Sequence, residues 1–196
     1  RRRALRRRPR AAGAMDDDME DYGFEYSDED EEDADVDIEN QYYNSKGALE
    51  NDDSAEALAG FQLVVAMESE KGEWGFKALK QTVKLHFKLG QHKEMLLAYR
   101  EMLTYVKSAV TRNYSEKVIN SILDHVSSSS DINLLQEFYE TTLMALEEAK
   151  NERLWFKTNL KLCNLWFDTK EFGRMGKILK DLHRWCQGSD GVDDQR

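Results

Sequence analysis

Large apolar residues recur in this chain about once every 40 residues, each just before a predicted turn. They are Leu49, Phe87, Val126 and Phe167. The intervals between them are 38, 39 and 41 residues. Eight residues after each, another apolar residue opens the next predicted helix: Ala57, Met95, Leu134 and Met175. Because two helices and a turn fill such a period, the sequence predicts stacked helical hairpins, with an ordinary helix bundle as the alternative.

The chain has a single proline, Pro9, and none from Met15 to Arg196. Since proline breaks helix interiors, this favours helix throughout, and turn residues separate eight stretches of helical spacing. The predicted helices are Val36–Glu50, Ser54–Glu68, Glu73–Leu89, Gln91–Ser108, Asn113–Ser127, Asp131–Ala149, Glu152–Asp168 and Glu171–Gln187. Ser54 and Asp131 are the predicted N-caps. We expect an all-α fold over residues 38–188, a right-handed solenoid of about four helix-turn-helix, tetratricopeptide-like repeats.

Charge divides the chain into segments. Residues 1–14 hold seven arginines and no acid, whereas Met15–Glu39 holds fifteen acids and no base. We expect residues 1–14 to be a basic leader of upstream or other non-native origin, with a nuclear-import patch or a transit peptide as alternatives. Like charges repel and apolar residues are few, so residues 15–37 are predicted to be a disordered acidic tail. Residues 189–196 are predicted to be a disordered end.

No catalytic constellation is visible in the sequence, and we expect that the chain is not an enzyme and requires no cofactor. Its four histidines and two cysteines lack metal-ligand spacing. No stretch of about 18 apolar residues is present, so a membrane partner is not expected. Cys163 and Cys186 lie too far apart along neighbouring predicted helices for a disulfide. We expect both to be free, buried thiols.

The predicted helix Glu73–Leu89 carries lysines along one side. At about 100° per residue, Lys77, Lys84 and Lys88 fall within about 40° of one another. Lys80 lies beside them, and Lys71 just precedes the helix. A same-sign row at this spacing is destabilising by itself, so it favours an anionic partner, either an acidic protein surface or a polyphosphate. A solvated face without a partner is the alternative.

Five long motifs resemble a known family. They are Asn40–Lys46, Glu70–Gln81, Ser108–Lys117, Leu134–Leu143 and Glu152–Asn159. Together with the acidic tail, they resemble the N-terminal part of the COP9 signalosome subunit 2 family. The resemblance covers Met15 to about Gln187, and it leaves out the leader and the last nine residues.

The resemblance implies a scaffold role. The signalosome removes the ubiquitin-like protein NEDD8 from cullins, and its metalloprotease site lies on another subunit. Subunit 2 is expected to bind other signalosome subunits, the cullin C-terminal domain and its RING partner, in the nucleus and the cytoplasm. Inositol hexakisphosphate is expected to bind between its basic residues and the cullin. The matching motifs carry this role onto Lys71, Lys77, Lys80 and Lys84, and they make Arg112 and Lys117 candidates for cullin contact.

Other functions stay open at this point. A related helical-repeat subunit of the 26S proteasome lid has the same architecture. A nucleic-acid-binding adaptor that uses the lysine row is a third hypothesis, although an acidic chain without a stacking platform does not favour it. The family's C-terminal PCI and winged-helix part is absent from this sequence, and the last predicted helix is strongly apolar. We therefore expect that the native chain once continued, and that this sequence is either a fragment or a truncated isoform.

Overall fold

The computed structural model describes residues 33–189, and this part of the chain contains eight helices and no strand. The helices are α1 (Asp33–Glu50), α2 (Ser54–Met67), α3 (Glu73–Lys88), α4 (His92–Tyr105), α5 (Arg112–Val126), α6 (Ile132–Glu148), α7 (Glu152–Asp168) and α8 (Phe172–Ser189). All eight predicted helices and the all-α class are thereby confirmed. The leader, residues 15–32 of the predicted tail and residues 190–196 lie outside the described residues.

The structure differs from the prediction at several helix ends. Helix α1 begins at Asp33, so the last five residues of the predicted acidic tail are helical. Acidic residues are favourable in a first helical turn, and the buried Ile38 and Tyr42 anchor the turns that follow. Asp131 caps α6 as predicted. Ser54 is wrong as the cap of α2, because the carboxylate of Asp53 accepts the hydrogen bond from the Glu56 amide.

The packing order is that of a helical-repeat array. Each of α1, α2 and α3 packs against the next helix in the chain, as do α6 and α7, and contacts also join helices two apart, α1 with α3, α3 with α5 and α4 with α6. These contacts lie within one hairpin or between adjacent hairpins. Contacts of this kind characterise an array in which each repeat buries its face against the next. The described part of the chain is therefore an all-α helical-repeat solenoid. Its right-handedness stays a prediction.

The spacing of apolar residues is reflected in burial. Of the residues that open the second helices, Ala57, Met95 and Leu134 are buried, whereas Met175 is half-buried. Tyr99 of α4 stacks on Phe138 of α6 with 4.1 Å between ring centroids. This stack joins two successive hairpins, and such aromatic pairs add about 0.5–1.5 kcal/mol beyond area burial.

Helix α3 separates two hydrophobic cores. Phe76, Leu79 and Val83 belong to the larger core. Ala78 and Leu85 belong to the smaller core, which is otherwise formed by α1 and α2. At about 100° per residue these two sets lie on roughly opposite faces of α3. A fully buried large apolar side chain contributes about 1.5–3 kcal/mol to stability, so burial on each of its two faces stabilises α3. Only a narrow strip between these faces meets solvent.

Four turns between helices use the same backbone geometry. Asp52, Gly90, Lys150 and Lys170 each have a positive φ, between 52° and 71°. In each turn the next residue's amide donates to the carbonyl five residues back, as from Gln91 to His86 at 2.9 Å. This is the Schellman arrangement, which satisfies the carbonyls at a helix end. Glycine fits the left-handed position at no steric cost, yet three of these four turns use another residue.

We expect Lys170→Gly to stabilise the chain by about 0.5–1 kcal/mol, because glycine relieves a left-handed conformation that disfavours L side chains. Gly90→Ala is the converse change and should destabilise by a similar amount. Urea unfolding followed by circular dichroism measures both. Equal stability of Lys170→Gly and the original chain would contradict the described turn.

Candidate partner-binding surface

The predicted lysine row follows the strip of α3 between its two apolar faces. Lys80 and Lys84 are half-buried there, and Lys88 is exposed at the end of the helix. The Lys88 ammonium lies 3.6 Å from a carboxylate oxygen of Asp52 in the α1–α2 turn. An exposed pair of this kind contributes little to stability, typically under about 1 kcal/mol. Lys80, Lys84 and Lys88 thus follow one another along the outer strip of α3.

Lys77 differs from the expected solvent-facing position. Its side chain is only 6% exposed, and its ammonium lies 3.1 Å from a carboxylate oxygen of Glu73. The ammonium also lies 4.4 Å from the ring centroid of Trp74. Trp74 in turn packs edge-on against Tyr43 of α1. The lysine row was predicted from the spacing of residues within α3 alone. In the structure, α1 packs against α3 and covers the end of the row that holds Lys77.

Lys71 lies just ahead of α3 and contacts the end of α4. Its ammonium donates to the Thr104 hydroxyl at 2.7 Å and lies 5.4 Å from the Tyr105 ring centroid. Lys71 itself remains exposed. Lys71 is therefore positioned by α4, and no contact joins it to Lys80 or Lys84 among the interactions described.

A carboxylate fixes the start of α3. Glu68, the residue after α2, accepts hydrogen bonds from the backbone amides of Gly72 at 3.2 Å and Gly75 at 2.6 Å. These two amides belong to the N-cap and the first turn of α3, where intrahelical acceptors are lacking. The buried Tyr105 hydroxyl also bonds to Glu68. Glu68, Gly75 and Tyr105 thus join α2, α3 and α4 at one point, and they hold in place the helix that carries the lysines.

Gly75 is required for this contact. A Cβ at position 75 would collide with the Glu68 carboxylate and would lie 2.9 Å from the Tyr105 hydroxyl oxygen. The Gly-Glu-Trp-Gly run, which entered the sequence analysis as part of a family motif, thus has a physical basis. Its second glycine lets a side chain from the preceding turn reach the backbone of α3.

Arg112, a predicted partner contact, takes part in a network inside the chain. Its guanidinium donates to the Asn151 side-chain oxygen at 2.9 Å and pairs with Glu116 at 3.3 Å. Asn151 is buried and caps α7, and its amide nitrogen donates to Glu116 at 3.0 Å. The network ties the start of α5 to the start of α7. Arg112 therefore has a structural role, and its side chain remains 61% exposed.

Lys117 lies on the surface of α5, one turn beyond Arg112. It is exposed, and it forms no ion pair with any residue of the described chain. On α7, Lys161 pairs with Asp124 of α5 at 2.7 Å. Lys117 is thus an exposed positive group on a different helix from the strip on α3, and its role as a partner contact stays a prediction.

A second basic row, which the sequence analysis did not single out, lies on α8. Lys177, Lys180 and Arg184 are exposed and follow one another at the spacing of one helical turn. Arg184 lies 3.6 Å from Asp181 on the same helix. These basic residues recur at three and four positions, as the lysines of α3 do. Asp181 interrupts the run of like charges, so the row is harder to recognise in the sequence.

The two cysteines differ in exposure. Both are free, as predicted, but only Cys163 is buried, so the prediction of a second buried thiol at Cys186 is wrong. Trp185 packs on Phe156 of α7 with 5.4 Å between ring centroids, and Cys186, about 100° further round α8, faces away from that contact. Burial raises the pKa of the Cys163 thiol, which makes it the less reactive of the two.

Two further observations concern the whole of residues 33–189. No cluster of three or more His, Cys, Asp or Glu side chains is placed to hold a metal ion in this part of the chain. Within the same residues, the helices fall short of the length and apolar character needed to cross a membrane.

Comparison with known proteins gives a consistent result. No protein-family model matches the chain. It is 60% identical over 181 residues to a Drosophila melanogaster protein named COP9 signalosome complex subunit 2, and the match covers 92% of this chain and 40% of that relative. Proteins of the same name are 57% identical over 182 residues in Caenorhabditis elegans (93% and 37% covered) and 50% identical over 180 residues in Emericella nidulans (89% and 35% covered).

The chain is homologous to COP9 signalosome subunit 2. The resemblance drawn from the five sequence motifs is thereby confirmed. These relatives carry the signalosome name, which favours subunit 2 over the proteasome-lid subunit that shares its architecture. The chain spans 35–40% of the length of these subunit 2 relatives.

We expect Gly75→Ala to destabilise the chain by about 1–2 kcal/mol. Displacing the Glu68 carboxylate removes hydrogen bonds worth more than the gain of up to about 1 kcal/mol from replacing glycine by alanine within a helix. Gly176→Ala is the matched control, because a Cβ at that position of α8 would meet no atom within 4 Å apart from its chain neighbours and the backbone of its own helix. It should stabilise by up to about 1 kcal/mol. Urea unfolding of the two variants tests this difference, and a stabilising Gly75→Ala would contradict the described contact.

We expect Tyr105 to make the chain sensitive to alkaline pH. Burial, with the nearby carboxylates of Glu68 and Glu101, raises the pKa of Tyr105 from 10.0 to about 12. A tyrosine whose pKa is higher in the folded chain than in the unfolded chain contributes its full stabilisation of the fold below pH 10. This contribution is lost as pH rises from 10 through 12. The free energy of unfolding, measured from pH 9 to 12, should fall less steeply for Tyr105→Phe than for the original chain. Parallel curves would show that Tyr105 does not contribute.

Proposed function

We propose that this chain acts as a non-catalytic scaffold subunit of the COP9 signalosome, which binds the C-terminal region of a cullin–RING ligase and so supports cullin deneddylation. The observation that carries the proposal is the 60% identity to a protein named as subunit 2 of that complex, over 92% of this chain. A helical-repeat array is suited to this role, because stacked repeats form extended surfaces that bind other proteins. The proposed partners are other signalosome subunits, the cullin and its RING protein.

The outer strip of α3 is the proposed site for an anionic partner. At a rise of about 1.5 Å per residue, Lys80 and Lys88 lie roughly 12 Å apart along the helix axis, with Lys84 midway. A rigid polyanion or an acidic protein surface can contact two or three such ammonium groups at once. Inositol hexakisphosphate is the proposed ligand at this interface, and Lys71, Lys77, Arg112 and Lys117 are the proposed residues around it.

Nucleic acid is not the proposed partner. The acidic balance of the chain opposes binding to a phosphate backbone. Near the start of α3, the exposed Tyr43 and the half-buried Trp74 pack against each other at 5.9 Å between centroids. A nucleic-acid site needs rings that are free to stack on bases. We also propose a nuclear and cytoplasmic location, which imaging of a fluorescently tagged chain in intact cells would test.

The test compares two charge reversals in the complete chain by isothermal titration calorimetry. The test variant is Lys80→Glu with Lys84→Glu on α3. The control is Lys177→Glu with Lys180→Glu, which makes the same change in net charge on the exposed row of α8. Each protein is titrated with inositol hexakisphosphate, with a cullin–RING C-terminal module, and with both together.

We expect the α3 variant to bind at least about tenfold more weakly, because it replaces two attractive charges by two repulsive ones. The α8 control should bind like the original chain. If the two variants bind equally well, the strip on α3 is a solvated face and the proposed site is wrong. If the original chain binds neither the cullin–RING module nor the polyphosphate, the proposed function itself fails for this part of the protein.

A further inference from the structure

Helix α2 has an apolar face that is exposed to solvent. Three of its residues are buried against the rest of the chain, Ala57, Phe61 and Val64. On the other side of the helix, Leu63 is 49% exposed and Met67 is 37% exposed. Three exposed alanines accompany them: Ala55, Ala59 and Ala66. Single exposed apolar residues are common in proteins, but a group of five on one side of a helix is typical of an interaction surface.

The exposed face of α2 is continuous and carries little charge. At about 100° per residue, Ala55 and Leu63 lie roughly 80° apart around the helix, with Ala59 and Ala66 between them. Met67 lies about 40° beyond Leu63. Glu56 is the single charged residue between Ser54 and Met67. A row of like charges would repel a second copy of the same surface, and α2 has no such row.

The order of side-chain sizes along this face is self-complementary. Positions 55, 59, 63 and 67 follow one another at the spacing of one helical turn, and they hold two alanines and then a leucine and a methionine. When a second copy of α2 runs antiparallel at the same level, position 63 lies opposite position 59 of the copy, and position 67 lies opposite position 55. Each large side chain then meets an alanine, and each contact occurs twice, as two-fold symmetry requires.

We infer that α2 is a self-association surface, through which two copies of this chain pair in an antiparallel, two-fold symmetric contact. The alanines let the helices approach closely, and Leu63 of each copy packs over Ala59 of the other. The two Glu56 carboxylates lie about 15 Å apart along the helix axis in this pairing, which exceeds the screening length of about 8 Å in physiological salt. The surface does not involve the lysines of α3, so this inference is independent of the proposed function.

The size of the contact determines how tightly the two copies pair. Helix α2 has 14 residues, so it is about 21 Å long. A single pair of helices of this length buries less than the roughly 800 Å² per partner that is usual in a stable complex. We therefore expect a reversible dimer with a dissociation constant of roughly 10–100 μM.

The experiment measures self-association of the complete chain by sedimentation equilibrium, between about 5 and 500 μM. Leu63→Lys places two ammonium groups about 6 Å apart along the axis of the proposed pair, and it should weaken association at least about tenfold. Leu97→Lys is the matched control, because Leu97 is 64% exposed on α4. It should associate like the original chain. Circular dichroism of each variant checks that the helices are retained.

A mixture of two variants tests the antiparallel arrangement. Ala59→Glu by itself brings two carboxylates together, as Leu63→Lys brings two ammonium groups together. In the mixture, the carboxylate at position 59 of one chain lies opposite the ammonium at position 63 of the other. The remaining contact, between Leu63 of the first chain and Ala59 of the second, is unchanged. The mixture should therefore associate at least about fivefold more tightly than either variant alone.

Separate results would overturn the inference. If the original chain stays monomeric at every concentration, the apolar face of α2 does not bind a second copy. If Leu63→Lys and Leu97→Lys weaken association equally, the loss is an effect of added charge and not of α2. If the mixture associates no more tightly than its two components, the copies do not pair in the antiparallel arrangement.

Discussion

The burial of α3 on two opposite faces is the constraint on which the rest of the described chain depends. One face closes the small core of α1 and α2, and the other belongs to the large core that continues through the later helices. A helix placed in this way leaves only a strip for solvent, and the lysines lie on that strip. Glu68 sets the start of the same helix by binding the amides of Gly72 and Gly75. The packing of α3 thus determines which of its charges a partner can reach.

The fold was predictable from the sequence because its determinants are local. Helical spacing of apolar residues, the absence of proline after Pro9 and polar turn residues located all eight helices to within a few positions. The 40-residue period then indicated how the helices stack, since each repeat has to bury its apolar face against a neighbour. The cap of α2 was missed because Asp53 and Ser54 are both good capping residues, and only the backbone geometry decides between them.

The candidate site was predictable only in part, because its geometry depends on contacts between distant segments. A helical wheel places Lys77 in the same row as Lys84, and nothing local shows that Trp74 lies over its ammonium while packing against Tyr43 of α1. Arg112 was a candidate for contact with a partner, yet it bonds to a side chain 39 residues away within the chain. Lys80, Lys84 and Lys88 lie on the strip as predicted, because the spacing of residues within α3 is enough to place them there.

The turns with positive φ have a consequence for how the chain can be modified. At Lys150 and Lys170 the left-handed residue lies outside the helices, and its side chain projects into solvent at a corner of the array. The helix ends on either side are held by backbone hydrogen bonds and by packing, which do not involve the end of the corner side chain. These corners are therefore suitable attachment points for a label or an immobilising group, at which chemistry can be added without disturbing either core.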